Sequence, residues 1–184
     1  MKNRQQSSII IILVTILAAI GSYQYGIWKR AQFEDERTVV TQSPATPVVS
    51  ETTLVTRVID GDTIQIASGE LVRYIGIDTP EVGRGNTPEE CYAKEATEEN
   101  KKLVLGKYIT LVNDEADRDP YGRLLRYAYI GDIMINQELV AQGMAIARAY
   151  PPNTKHQAQL RESEENAKAE QRGLWQACSD KKAP

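Results

Sequence analysis

The 184 residues are 41% hydrophobic and 26% charged, enough for one ordinary domain with appendages and too few for a multidomain enzyme. Lys and Arg number 22 against 25 Asp and Glu, a formal net charge of -3, so no bulk positive field attracts a polyanion and any such site must be built locally. The single histidine, His156, excludes His-rich zinc sites and paired-imidazole relays, which leaves the chemistry to carboxylates and arginines.

Residues 1–8 form a basic n-region with Lys2 and Arg4, and residues 9–28 then run without a charge. As a helix that segment reaches about 30 Å, the thickness of a bilayer core. It reads as a retained membrane anchor closed by Lys29 and Arg30, with a signal peptide cut after Gly21 as the alternative. Either reading places the rest of the chain outside the cytoplasm, anchored in the first case and secreted in the second. Residues 29–53 shift to Thr, Val, Ser, Pro and Glu, with Ser43-Pro44 and Thr46-Pro47, and read as an extended linker. The globular domain is expected over residues 54–177, with 178–184 as a tail.

In that domain Val55, Arg57 and Ile59 alternate as a strand, Asp60-Gly61 turns the chain, and residues 63–67 return as a second strand. A third strand is predicted over residues 71–77. Thr87-Pro88-Glu89-Glu90 has the form of a capping box with Pro at the first helical position, opening a helix that runs to Leu105 and stops at Gly106. Residues 107–112 and 124–130 read as the fourth and fifth strands. Asn136 is expected to cap a short helix with Leu139 and Val140 inward, and Thr154 to open a last one carrying His156, Leu160, Ser163 and Ala167 on one side. Five strands with a helix inserted after the third is the order of an OB-type barrel, an α+β fold with three helices.

Cys91 and Cys178 are the only cysteines, an even count that suits a disulfide in an oxidising compartment; two unconnected buried thiols are the alternative. If bonded, closing a loop of that length stabilises the fold by about 4 to 5 kcal/mol in the chain-entropy model. Without histidine neighbours the pair makes no metal site.

The unusual polar residues collect at strand ends. Arg73 lies inside an apolar strand, sharing a face with Ile75 and Ile77, where a guanidinium needs an anion to meet or a solvated rim. Asp62 and Asp78 on adjacent strands can give two carboxylates to one hard cation such as Ca²⁺, with the Thr79 carbonyl completing the set, although either aspartate alone is also ordinary turn chemistry. Glu81 is placed to act as a general base on a metal-side water. Arg73 and Arg123 can each fork onto phosphate oxygens. Three other features carry no function: Gly83-Arg84-Gly85 lacks the remainder of a phosphate loop, the EF-hand-like run from Asp117 ends on Ala128 instead of Glu, and His156 sits at a helix start among charges.

The strings Val58-Ile59-Asp60-Gly61-Asp62-Thr63, Arg73-Tyr74-Ile75-Gly76-Ile77-Asp78-Thr79-Pro80-Glu81 and Asp119-Pro120-Tyr121-Gly122-Arg123 resemble the staphylococcal nuclease, or thermonuclease, family, and the similarity continues to Gly173-Leu174-Trp175. The resemblance implies an OB-fold barrel with three helices that hydrolyses DNA, RNA or both with Ca²⁺. By motif position Asp62, Asp78 and the Thr79 carbonyl would ligate the metal. Glu81 would activate water, and Arg73 and Arg123 would hold the scissile phosphate. Tyr121 would contact the substrate beside Pro120, which stands where the family has Lys, and Tyr150 lies near the family's base-stacking tyrosines. The chain is expected to act as a monomer with no protein partner implied. From Leu54 onward 17 Lys and Arg face 21 Asp and Glu, an acidic balance that weakens nonspecific attraction for DNA. A non-catalytic adaptor is the alternative, and the presence of all five charged residues of the set argues against it.

Overall fold

The computed structural model describes residues 50–83 and 85–178. The n-region, the apolar segment 9–28, linker residues 29–49 and residues 179–184 of the tail lie outside the described residues. Among the described residues no helix is long and apolar enough to cross a membrane.

Strand β1 (Ser50–Val58) serves two sheets. Its first half pairs antiparallel with β5 (Tyr108–Val112), Ser50 opposite Val112 and Leu54 opposite Tyr108. Its second half pairs with β2 (Thr63–Ile66), and the register slips between Val55 and Arg57. A bulge of this kind adds twist and bends the strand, which lets a single strand turn the corner of a barrel. The linker therefore ends earlier than its composition suggests. Residues 50–53 are strand, and Thr53 is buried against Ile109 on β5.

The Asp60-Gly61 turn joins β1 to β2 as expected, and β2 pairs antiparallel with β3 (Leu71–Tyr74). Strand β3 then runs parallel to β6 (Leu124–Ile130), Val72 opposite Leu124, while β5 and β6 pair antiparallel. The circuit β1, β2, β3, β6, β5 closes on itself, which removes the exposed edges of an open sheet and gives the OB-type barrel. Val55, Ile64, Ile66, Val72, Tyr74, Ile109, Leu111 and Tyr127 fill it, none more than 1% exposed.

The expected third strand is broken. Gly76 takes φ +79°, a left-handed turn that favours glycine, and a Cβ there would stand 2.5 Å from Leu160 Cδ1, which would have to shift. Beyond it Ile77–Asp78 forms β4, which pairs with β8 (Ile146–Ala147) outside the barrel. Arg73 therefore does not continue an apolar face with Ile75 and Ile77.

The helices are α1 (Ala93–Val104), α2 (Ile135–Ala141, entered directly from the short strand β7, Ile133–Met134), α3 (Gln157–Ala169) and the single turn α4 (Leu174–Ala177). Neither Thr87 nor Thr154 caps the helix expected to follow it. α1 begins six residues after Thr87, from Tyr92 at φ 76°, because residues 90 and 91 are committed to other contacts. The Thr154 hydroxyl turns back to the Pro152 carbonyl, and the side-chain acceptor near the start of α3 is Asp114 from a distant loop, which takes the Lys155 N–H at 3.1 Å. Asn136 is likewise no cap. It lies inside α2, wholly buried, accepting the Ala128 N–H at 2.9 Å and donating to the Ile75 carbonyl at 2.8 Å, which ties α2 to the barrel. Leu139 and Val140 face inward and Gly143 ends the helix, as read. On α3 Leu160, Ser163 and Ala167 are buried along one side. His156 meets Tyr127 edge to face at 4.6 Å.

Candidate active site

Four connections converge at one end of the barrel: the β1–β2 turn, the loop after β4, the 114–123 loop before β6, and the segment after β8. The last three border a cleft of about 470 Å³ lined among others by Arg73, Asp78, Glu81, Tyr121, Arg123 and Tyr150. The shape follows from local rules. A Cβ on Gly61 would lie 2.7 Å from Thr79 Oγ1, so glycine lets the β1–β2 turn press against the loop after β4. That contact brings Asp62 to Thr79, 17 positions further along the chain.

Asp62 is 4% exposed. Its Oδ2 accepts the Thr79 N–H at 3.0 Å and the Thr79 hydroxyl at 2.9 Å, and its Oδ1 accepts the Thr63 hydroxyl at 3.1 Å. Burial pushes its carboxyl up to about 7, with Arg73 opposing the rise and the neighbouring Asp60 adding to it.

Arg73 stands beside Asp62. Its Nη1 donates to the Tyr74 and Ile77 carbonyls at 2.9 Å each, so the guanidinium closes over the Gly76 turn. Its Nη2 lies 3.0 Å from Asp62 Oδ2 and 2.8 Å from Asp78 Oδ1. The two aspartates thus turn oxygens toward one positive centre. Asp78 holds a second cation through its other oxygen, Arg148 Nη1 at 2.6 Å. Arg148 follows β8, whose pairing with β4 sets it beside Asp78.

Arg123 is positioned by Asp119. One Asp119 oxygen accepts the backbone N–H of Tyr121 and of Arg123, each at 2.9 Å, and the other accepts Arg123 Nε at 2.7 Å. Burial raises the Asp119 carboxyl, but these hydrogen bonds outweigh it and hold the group below the usual carboxylate range. The aspartate that imitates a calcium-loop ligand is therefore the brace of an arginine. Arg123 Nη1 reaches the Thr63 hydroxyl at 3.3 Å, and that hydroxyl in turn donates to Asp62. The Arg123 guanidinium lies 5.7 Å from the centre of the Tyr121 ring, which is 85% exposed.

Glu81 stands at the mouth, its carboxyl raised by desolvation and then by the negative charge of Asp60 and Asp78, with Arg73 opposing. Such a carboxylate is a better proton acceptor than a free one. Its backbone is clipped on both sides by Glu90: Glu81 N–H donates to Glu90 Oε2 at 2.8 Å, and Glu90 N–H donates to the Glu81 carbonyl at 3.0 Å.

Every residue singled out from the sequence for the site therefore lies at this end of the barrel, Asp62 and Thr79 behind Arg73 and the others on the cleft. Cys91 and Cys178 lie apart from it and are joined, their Cα atoms 6.0 Å apart. Sequence reasoning missed Arg148, Thr63, Asp60 and Glu90. Of these only Asp60 and Thr63 carried a signal, as the immediate neighbours of Gly61 and Asp62; Arg148 and Glu90 arrive by tertiary pairing. Among the described residues no group of three or more His, Cys, Asp or Glu is arranged to hold a metal.

Comparison with known proteins agrees with this geometry. The sequence model of the family described as staphylococcal nuclease homologue matches residues 71–177. The chain is 41% identical over 135 residues to a thermonuclease of Staphylococcus intermedius, covering 72% of this chain and 80% of that one. It is 37% identical over 128 residues to a thermonuclease of Staphylococcus hyicus, covering 68% and 76%. It is also 39% identical over 124 residues to endonuclease YncB of Bacillus subtilis strain 168, covering 65% of this chain and 59% of that protein. Agreement over more than half the chain, in company with a closed barrel that gathers the matched polar residues at one end, leaves a single conclusion: the chain belongs to the staphylococcal nuclease family.

Proposed function

We propose that the chain is a Ca²⁺-dependent nuclease in which two aspartates, two arginines and a glutamate hydrolyse phosphodiester bonds of DNA, RNA or both. The nuclease class follows from the family. The observation that carries the finer reading is the convergence of Asp62 and Asp78 on one positive centre, 3.0 and 2.8 Å from Arg73 Nη2, at the edge of a cleft that also holds Glu81 and Arg123.

The donor chemistry fits a hard cation. Ca²⁺ takes carboxylate and carbonyl oxygens, and Asp62 and Asp78 turn carboxylate oxygens toward one point, where Arg73 Nη2 now stands. Asp62, Asp78 and the Thr79 carbonyl would hold the ion, which when bound polarises the phosphate and neutralises charge on it. Glu81 takes the proton from the attacking water. Arg123, braced by Asp119, and Arg73 fork onto phosphate oxygens as negative charge grows on them. Tyr121 and Tyr150, both exposed at the cleft, offer ring faces to flanking nucleotides. Arg148 adds positive charge at Asp78 in a domain that is acidic overall.

Calcium titration tests this reading. Asp62→Ala or Asp78→Ala removes a charged oxygen, so direct Ca²⁺ binding by calorimetry should weaken by at least about tenfold and cleavage should be lost at Ca²⁺ levels that saturate the parent. Unchanged Ca²⁺ affinity in both variants contradicts the ligand assignment.

We further place the domain outside the cytoplasm, tethered by residues 9–28. The joined cysteines suit an oxidising compartment. The full-length protein should then pellet with membranes and resist carbonate extraction. External protease should release an active domain by cutting before residue 50, where β1 begins. A freely soluble mature protein starting near Ser22 would instead mean a cleaved signal peptide.

A further inference from the structure

The loop that carries Glu81 leaves the barrel after β4 and returns at α1, so the general base rides on irregular chain. Of the contacts near its point of return, which include the Lys94 Nζ–Glu89 Oε1 ion pair at 3.2 Å, two bear on Glu81. The first is the reciprocal pair already described, in which Glu90 accepts the Glu81 N–H through its side chain and donates its own N–H to the Glu81 carbonyl. The second lies at the next residue. Cys91 is bonded to Cys178, which is 5% exposed and directly follows α4. That turn is rooted in the core: Leu174 is 1% exposed and its N–H donates to the Gly143 carbonyl at 2.9 Å. Between the disulfide and α1 stands Tyr92 at φ 76°, a left-handed conformation uncommon for a non-glycine residue. Helix α1 reaches back to Glu90 through one bond, the Ala93 N–H to the Glu90 carbonyl at 3.3 Å, and the disulfide at the next residue gives it a second anchor.

We propose that Glu90, anchored by the Cys91–Cys178 disulfide beside it, is a positioning residue for Glu81, so that turnover by this nuclease depends on that disulfide. The inference rests on the reading of Glu81 as the general base. A general base must lie within hydrogen-bond reach of the proton it takes, and a displacement of about 1 Å can cost up to 10²-fold in rate. The contact between residues 81 and 90 is local to the loop. Loosening it leaves the phosphate-holding arginines on β3 and before β6 in place, so the loss falls on kcat and not on KM.

The test uses the full-length chain in detergent, a single-stranded oligodeoxynucleotide and saturating Ca²⁺. Glu90→Ala should lower kcat about tenfold with KM close to the parent's. Glu90→Gln keeps an oxygen acceptor for the Glu81 N–H and should restore most of the rate. Cys91→Ser with Cys178→Ser, or the parent treated with dithiothreitol, should lower kcat by a similar factor and speed proteolysis within residues 82–89. In a Glu81→Gln background, Glu90→Ala should cost nothing further. If Glu90→Ala and the double serine variant both turn over like the parent while Glu81→Gln is slow, the inference is wrong and the base stands. If Glu81→Gln itself is indifferent, the reading beneath it has failed. An equal loss from Glu90→Ala with and without Glu81 shows a merely structural role and overturns the proposal. Should the double serine variant prove unfolded by far-UV circular dichroism, the Glu90→Ala and Glu90→Gln pair decides alone.

Discussion

Glu81→Gln is expected to lower kcat by about 10² to 10⁴-fold with KM little changed. The amide matches the carboxylate in size and still accepts a hydrogen bond, but it cannot take a proton from water. The environment of Glu81 makes the loss specific. Desolvation and the negative charge of Asp60 and Asp78 raise its carboxyl, so the parent group has a stronger pull on a proton than a free carboxylate. Its fold contacts run through the backbone to Glu90, and the substitution leaves both of them intact. Stability should therefore stay near the parent's while turnover falls. Steady-state kinetics with a thermal melt on the same sample reads both quantities, and a Gln variant as fast as the parent would remove Glu81 from the chemistry.

The second large effect is expected at the arginines. Lysine keeps the charge of Arg73 or Arg123 and loses the planar fork, so kcat should fall by about 10² to 10³-fold in each case if paired hydrogen bonds to phosphate stabilise the transition state. The two substitutions should differ in stability. Arg73 spends Nη1 on the Tyr74 and Ile77 carbonyls and Nη2 on Asp62 and Asp78, and a lysine ammonium cannot reach all four. Leaving such groups unsatisfied costs about 1 to 3 kcal/mol, so Arg73→Lys should melt at a visibly lower temperature. Arg123 is tied mainly to Asp119 on an exposed turn, and Arg123→Lys should melt close to the parent. Rapid cleavage by both lysine variants would show that positive charge alone suffices.

The barrel was legible because its signals are local. Alternation from Val55 to Ile59, the Asp60-Gly61 turn and the apolar runs at 107–112 and 124–130 each describe a segment whose pairing the turn or the core then enforces. The errors fall where a distant residue takes over a local role. Thr87 has the sequence of a helix cap, but Glu90 is drawn to Glu81 and Cys91 to Cys178, so α1 starts later. Asp114 supplies the acceptor expected of Thr154, and the buried Asn136 serves the barrel and not its own helix. Residues 50–53 looked like linker because β-pairing with β5 has no periodic signal in four polar residues.

The same division runs through the site. Asp62, Asp78, Glu81 and Arg123 could be singled out because strand ends and turns seldom hold so many charges, and Arg73 because it interrupts an apolar strand. Which oxygen faces which cation was not legible, since the Gly76 break redirects Asp78 toward β8 and brings Arg148 to its second oxygen. The acidic balance of the domain now has a local counterpart. Arg73, Arg123 and Arg148 gather at one end of the barrel.

Incubating the purified full-length chain with single-stranded and duplex DNA and with RNA, in Ca²⁺ and again in excess chelator, tests the central claim most directly. Cleavage of at least one of these polymers to shorter fragments in Ca²⁺, abolished by chelator and restored by added Ca²⁺, is the predicted result. Nucleic acid left intact under all conditions would contradict it and favour a non-catalytic adaptor, and equal cleavage in chelator would remove Ca²⁺ from the mechanism.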